Sequence, residues 1–173
     1  IASCLVGSEM CIRDRFNMGE VIAAAVKDAK SRLVNGGIGD MKFLYDRTED
    51  IFVYADKARI NQVISNLIGN AVKFTRKGIV SITTEKRKNE NNEDEVVVSV
   101  KDSGSGIDEE IFPRLFTKFT SRSQTGTGLG LFISKNIVEA HGGTIEGRNN
   151  SNGESGATFR FTLPLDQPDS SIE

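Results

Sequence analysis

No stretch of this 173-residue sequence approaches the roughly 18 consecutive apolar residues needed to span a bilayer. A basic surplus is missing too: 22 lysines and arginines stand against 24 acidic residues, for a net charge of −2. That balance excludes a general polyanion binder, so no nucleic-acid partner is expected, although a local basic site for a phosphate group stays open. Thiols are scarce. Cys4 and Cys11 both lie near the start, their spacing is not the CxxC of zinc or redox sites, and no histidine is close to them. No disulfide can therefore staple the body of the chain, which fits a reducing compartment and a cytoplasmic location. Anchorage of a parent protein in the inner or plasma membrane, through a part outside this chain, is compatible with that reading.

The hydrophobic fraction of 38% and the charged fraction of 27% are ordinary for one soluble domain with a real core. The chain opens on Ile1, and the run IASCLVGSEMCIRDR has neither helical nor strand periodicity and no basic stretch ahead of its apolar part. Residues 1–15 are set aside as a cloning or sequencing scar, or a disordered terminus. Residues 16–165 form the expected domain, and 166–173, DQPDSSIE, read as a disordered tail.

From Met18 the apolar residues Val21, Ile22, Ala25, Val26, Ala29 and Leu33 recur at helical steps, and Gly36–Gly37 stops them. MKFLY (41–45) and IFVYA (51–55) read as two short strands joined as a hairpin-like pair. Asp56 stands where an N-cap belongs, ahead of a helix with the stripe Ile60, Val63, Ile64, Leu67, Ile68, Ala71 and Val72. Strands 79–86 and 96–102 form a second hairpin across a charged tip. A short helix is expected near Glu109–Leu115, a polar loop over 120–128 and a helix over 131–142. Strands 143–149 and 157–164 follow, joined by a Gly/Asn/Ser turn. This order predicts a two-layer α/β sandwich: a mixed, mostly antiparallel sheet with helices packed on one face.

Three constellations carry chemistry. On the face of the second helix opposite its apolar stripe, Arg59, Gln62, Asn66, Asn70 and Lys73 step by three or four residues. Such a stripe is commonly a solvated face. Asparagines are poor helix formers, however, and two of them at i and i+4 align neutral carbonyl oxygens, the ligand type that Mg²⁺ takes beside substrate phosphates and water. Lys73, one turn on, is placed to meet a phosphate. The second is Asp102-Ser-Gly104-Ser-Gly106: a carboxylate at a strand end can accept a hydrogen bond from an exocyclic amine such as adenine N6, and glycines let the backbone approach. A plain turn accounts for that string as well. The third is Gly126-Thr127-Gly128-Leu129-Gly130-Leu131, glycines running into a helix N-terminus, where phosphates are favoured. No Gly-Lys-Ser/Thr, HRD or DFG string accompanies it.

Together these strings resemble one family. NQVISNLIGNAVKFT is similar to the N box of histidine kinases, DSGSGI to the G1 box, LFTKF to the F box and GTGLGL to the G2 box, in the family's order over about residues 16–165. The resemblance implies the Bergerat ATP-binding fold, with ATP and Mg²⁺ as ligands. It implies that Asp102 binds adenine N6 and that Gly104, Gly106 and Ile107 shape the base pocket. Asn70 resembles the Mg²⁺ ligand, Asn66 a helper to metal and phosphate, and Lys73 a phosphate contact. Gly126, Gly128 and Gly130, with Thr127, Leu129 and Leu131, correspond to the ATP lid and its hinge, anchored by Phe116 and Phe119. Thr158 resembles a hydroxyl that contacts adenine. Lys118 and Arg122 are further candidates for the γ-phosphate.

His141, the single histidine, ends a helix in EAHGG, where it suits the helix dipole and can cap carbonyls. It does not resemble the phosphoacceptor, which is expected on a separate dimerisation domain. Implied partners are that histidine-bearing domain and a response regulator receiver domain; the isolated domain is expected to be a monomer and its parent a homodimer. Two alternatives stand beside the kinase reading. A Bergerat ATPase or anti-sigma-type serine kinase would carry a glutamate where Asn66 stands, and an amide cannot take up a proton. A domain that binds nucleotide without transferring phosphate is the other.

Overall fold

The computed structural model describes residues 12–35, 41–45, 49–120 and 127–165. The elements are β1 (Asp14–Asn17), α1 (Met18–Asn35), β2 (Met41–Tyr45), β3 (Phe52–Ala55), α2 (Lys57–Phe74), β4 (Gly78–Lys88), β5 (Asp94–Asp102), a 3-10 turn (Phe112–Arg114), α3 (Gly130–Ala140), β6 (Ile145–Asn149) and β7 (Ala157–Pro164). A five-stranded sheet runs β2-β4-β5-β7-β6, and β1 and β3 form a separate two-stranded sheet. Only the β2–β4 pair of the larger sheet is parallel. The expected mixed sandwich is present.

The sheet's centre follows from its valines. β5 is covered by strands on both sides, and Val96, Val98 and Val100 face the helices opposite Leu163, Phe161 and Phe159 of β7. Against them lies α2, whose stripe Ile60, Val63, Ile64, Leu67 and Ile68 is at most 1% exposed. Each such side chain adds about 1.5–3 kcal/mol by leaving water. Asp56 caps this helix as expected, its carboxylate accepting from Arg59 N at 3.0 Å.

The expected pairing of 41–45 with 51–55 is corrected. β2 pairs parallel with β4, from Met41 opposite Gly78 to Tyr45 opposite Ile82, and β3 pairs antiparallel with β1. The residues just before β3 are fastened elsewhere: Asn17 Nδ2 donates to Asp50 at 2.8 Å, and Met18 N donates to the Ile51 carbonyl at 2.8 Å. These bonds join the approach to β3 to the start of α1, so the link from β2 to β4 is a crossover through β3 and α2 and not a tight turn. Asp14 and Arg15, assigned from sequence to the terminal segment, are the first two residues of β1, and the Arg15 guanidinium stacks on Phe52 at 4.3 Å. The helix expected near 109–115 is a single 3-10 turn, with Pro113 at its start.

Candidate nucleotide-binding cleft

Between α2, the end of β5 and the start of α3 lies a cleft of about 550 Å³. It receives Asn70 and Lys73 from α2; Asp102, Gly106 and Ile107 from β5 and the loop after it; and Thr127, Gly128, Gly130 and Leu131 from the entry into α3. These residues come from three distant segments, and the fold brings nine of the sequence-predicted site residues to one place. Two more open grooves, of about 660 and 810 Å³, flank α1.

Asp102 is 4% exposed. Its Oδ1 accepts from Gly104 N at 2.8 Å and from Ala157 N at 3.3 Å. Burial pushes its carboxyl above the usual carboxylate range, and the two backbone N–H groups oppose that shift. A carboxylate held by one oxygen in a cleft leaves the other for a donor such as an exocyclic amine. Two glycines make room for it. A Cβ at Gly104 would lie 2.3 Å from the Phe74 carbonyl oxygen, and one at Gly156, which has φ +95°, would lie 2.0 Å from the Asp102 carbonyl oxygen. Gly104 therefore acts from beneath the cleft, through its N–H.

The polar stripe of α2 is divided among three surroundings. Arg59 and Gln62 line a groove beside α1. Asn66 meets α3: its Nδ2 donates to the Gly130 carbonyl at 3.3 Å and to Ser134 Oγ at 3.2 Å. Its side chain does not line the cleft. Asn70 and Lys73 do, and among the described residues Lys73 makes only a cation–π contact, 5.6 Å from the Phe74 ring. No cluster of three or more His, Cys, Asp or Glu side chains suited to a metal occurs among the described residues. Asn70 alone offers a side-chain amide oxygen to the cleft, an arrangement that fits Mg²⁺, which keeps several waters and binds through substrate phosphates with few protein ligands.

α3 starts at Gly130 with no side-chain cap on its first N–H groups, and its first two residues, Gly130 and Leu131, line the cleft. Gly128, at φ +66°, packs on the chain before the lid: a Cβ there would lie 2.6 Å from the Phe119 carbonyl carbon. Leu129 precedes the helix without lining the cleft.

Besides Asn66, Gly104 and Leu129, three more expected site residues do not line the cleft. Thr158 follows Ala157 on β7, and strand alternation turns its side chain to the opposite face of the sheet; Ala157 and Phe159 line the cleft instead. Phe119 is 74% exposed, with φ 62°, so its ring projects outward, while Phe116 packs against the core. Lys118 Nζ rests 5.1 Å from the Phe132 ring. Arg122 and Gly126 lie outside the described residues. The apolar lining from Ile111, Leu115 and Phe159 went unread, because a pocket wall shares its composition with core.

His141 has the structural role expected of it. Its Nδ1 lies 2.7 Å from the Ile137 carbonyl and its Nε2 accepts from Asp56 N at 3.1 Å, tying the end of α3 to the cap of α2.

Residues 55–167 match the family described as "Histidine kinase-, DNA gyrase B-, and HSP90-like ATPase". The hybrid signal transduction histidine kinase C of Dictyostelium discoideum is 43% identical over 123 residues, 65% of this chain but 10% of that protein. The sensor protein FixL of Bradyrhizobium diazoefficiens is 40% identical over 128 residues, 72% of this chain and 24% of its own length. The chain thus spans a small part of the curated relatives it matches. Among solved structures, the catalytic domain of histidine kinase ThkA superposes with a TM-score of 0.73 at 35% identity, covering 89% of this chain and 96% of that one. The chain belongs to the histidine kinase-, DNA gyrase B- and HSP90-like ATPase family, as an ATP-binding catalytic domain of the histidine kinase type.

Proposed function

We propose that this cleft binds ATP with the adenine amine on Asp102 and the triphosphate running past Asn70 and Lys73 to the N-terminus of α3. Asn70 would hold Mg²⁺, which would supply charge neutralisation beside the phosphates. The γ-phosphoryl group then passes to a histidine on a dimerisation domain outside this chain, as one step of two-component signalling on the cytoplasmic side of the cell. The acceptor imidazole is itself the nucleophile, so the work of this domain is positioning and electrostatic stabilisation. The observation that carries the reading is the buried Asp102 carboxylate, held by two N–H groups in a cleft that Lys73 and the uncapped start of α3 also line.

Asn66 supports transfer to histidine over hydrolysis. Its amide cannot serve as a base, and its Nδ2 is occupied by α3. A response regulator is the partner expected downstream; a neighbour at 33% identity is a crystal structure of ThkA in complex with the response regulator TrrA. The test is transfer from radiolabelled ATP to an added histidine-bearing dimerisation domain, with and without Mg²⁺. Label on the acceptor histidine only with Mg²⁺ supports the reading. Release of free phosphate without acceptor labelling sinks it in favour of an ATPase. Asn70→Ala should remove the affinity gained from Mg²⁺ while leaving metal-free binding nearly intact; equal losses would contradict the metal-ligand role.

A further inference from the structure

The loop that leaves β5, Ser103–Ile107, shapes the base end of the cleft, yet little within it fixes its course. Its backbone makes two bonds to flanking segments: Ser103 N to the Ile79 carbonyl and Ser105 N to the Phe74 carbonyl, at 3.1 and 3.4 Å. At its start, Gly104 N donates to Asp102 Oδ1 at 2.8 Å and Ser103 Oγ accepts from Ile79 N at 2.9 Å; its far end is held from the turn between β6 and β7. Asn149 clasps Ile107 on both sides, with Oδ1 accepting from Ile107 N at 2.6 Å and Nδ2 donating to the Ile107 carbonyl at 2.9 Å. Asn150 Nδ2 donates to the Asp102 carbonyl at 2.8 Å and to the Ser155 carbonyl at 2.7 Å. The two amides therefore hold both ends of the loop.

Thr158 anchors the second of these amides. Its hydroxyl donates to Asn150 Oδ1 at 2.7 Å. The Asp102 and Ser155 carbonyls can only accept, so they set the Asn150 amide with its nitrogen towards them, and the hydroxyl then holds the oxygen on the other side. Gly106 completes the fit. It has φ +78°, and a Cβ there would lie 2.8 Å from Asn149 Oδ1. The asparagine side chain occupies the space that the glycine leaves.

We infer that Asn149 and Asn150, the latter anchored by Thr158, are positioning residues for purine selectivity. They touch no nucleotide themselves; they hold Asp102 and Ile107 at the spacing that a purine edge requires. The inference rests on the reading of Asp102 as the adenine-recognising group.

The experiment is calorimetric titration of the full chain with ATP and with GTP, each with and without Mg²⁺, for Asn149→Ala, Asn150→Asp, Thr158→Val and Thr158→Ser, with Asp102→Asn in parallel. Asn149→Ala and Asn150→Asp should weaken ATP roughly three- to tenfold, the scale of one or two partly exposed hydrogen bonds, and GTP less. The ATP-over-GTP preference then falls while the gain from Mg²⁺ stays constant. Thr158→Val should shift the preference the same way, and Thr158→Ser should restore it. The Ile107 amide should exchange with solvent faster in Asn149→Ala, which reads the clasp directly. If Asp102→Asn keeps the full preference for ATP, the base-pocket reading fails and this inference with it. If Asp102→Asn abolishes the preference but the asparagine variants leave it unchanged, or lose ATP and GTP equally, the positioning role alone is overturned. Should Asn150→Asp not fold, the Thr158 pair and the Ile107 exchange rate decide.

Discussion

At Asp102 the demands of binding and of folding oppose each other. Burial raises its carboxyl pKa, so the folded state takes up a proton more readily than the unfolded chain does. The folded state therefore gains stability from this group as pH falls through the raised value, and that gain is lost as pH rises through it. Asp102→Asn keeps the shape and an acceptor for the Gly104 and Ala157 N–H groups without the buried charge. It should raise the stability of the nucleotide-free domain at neutral pH, by an amount that shrinks in the acid range where wild-type Asp102 is protonated. Urea unfolding at several pH values measures this; an unchanged or lowered midpoint at neutral pH would show that desolvation is not the dominant influence. Nucleotide affinity should move oppositely, declining as pH falls through the raised value and Asp102 becomes protonated.

Glycine makes a second contrast at this scale. Gly153 and Gly156 share one turn and positive φ values of 78° and 95°. Nothing lies within 4 Å of a Cβ at Gly153, whereas one at Gly156 meets the Asp102 carbonyl oxygen. Gly153→Ala should cost only the left-handed backbone penalty, about 1–2 kcal/mol. Gly156→Ala should cost more than that in the same denaturant series and should weaken ATP binding as well, because Asp102 must move.

Among the elements, α2 and α3 line the part of the cleft proposed for the phosphates, and they are joined at two places. Asn66 meets Gly130 and Ser134 near the cleft, and His141 meets Asp56 at the far end. Ser134 is fully buried, so Asn66→Ala leaves a buried hydroxyl without this donor and removes a second bond to the Gly130 carbonyl. The expected loss is about 1–3 kcal/mol of stability even without nucleotide or metal. Asn70→Ala, on a half-exposed side chain at the cleft, should stay within about 0.5 kcal/mol of wild type in the same measurement. Equal effects of the two on apo stability would refute this division between brace and ligand. For His141 the geometry requires an unprotonated Nε2, since the Asp56 N–H already supplies the proton; His141→Ala should loosen the helix pair without touching the cleft.

Across the whole molecule, binding and stability are linked. A nucleotide that binds only the folded chain raises its stability by about 2.7 kcal/mol at a concentration one hundred times Kd. Mg-ATP should therefore raise the thermal midpoint of the wild type in a concentration-dependent way, and that of Asp102→Ala far less. A midpoint indifferent to Mg-ATP would contradict the cleft as a nucleotide site. Leu67→Ala, in the fully buried stripe of α2, should lower stability by about 2–5 kcal/mol without altering purine preference.

Patterns of short range were legible in the sequence. Helical spacing placed α1 and α2, alternation placed the β4–β5 and β6–β7 hairpins, and Asp56 marked its helix start, because each depends on residues a few positions apart. Asp102, Asn70, Lys73 and the glycines entering α3 were legible for the same reason: their chemistry is carried by local strings. The partners of β2 and β3 were not, because strand pairing depends on which hydrogen bonds the folded chain closes, here those of Asn17 and Met18. Nor was the separation of Asn66 from Asn70. Both share a helix face, and only the approach of α3 turns one into a brace and leaves the other open to the cleft. Thr158 shows the same limit by a single residue: alternation along β7 sends its neighbour Ala157 to the cleft, and the direction of that alternation is decided by which face of the sheet the helices cover.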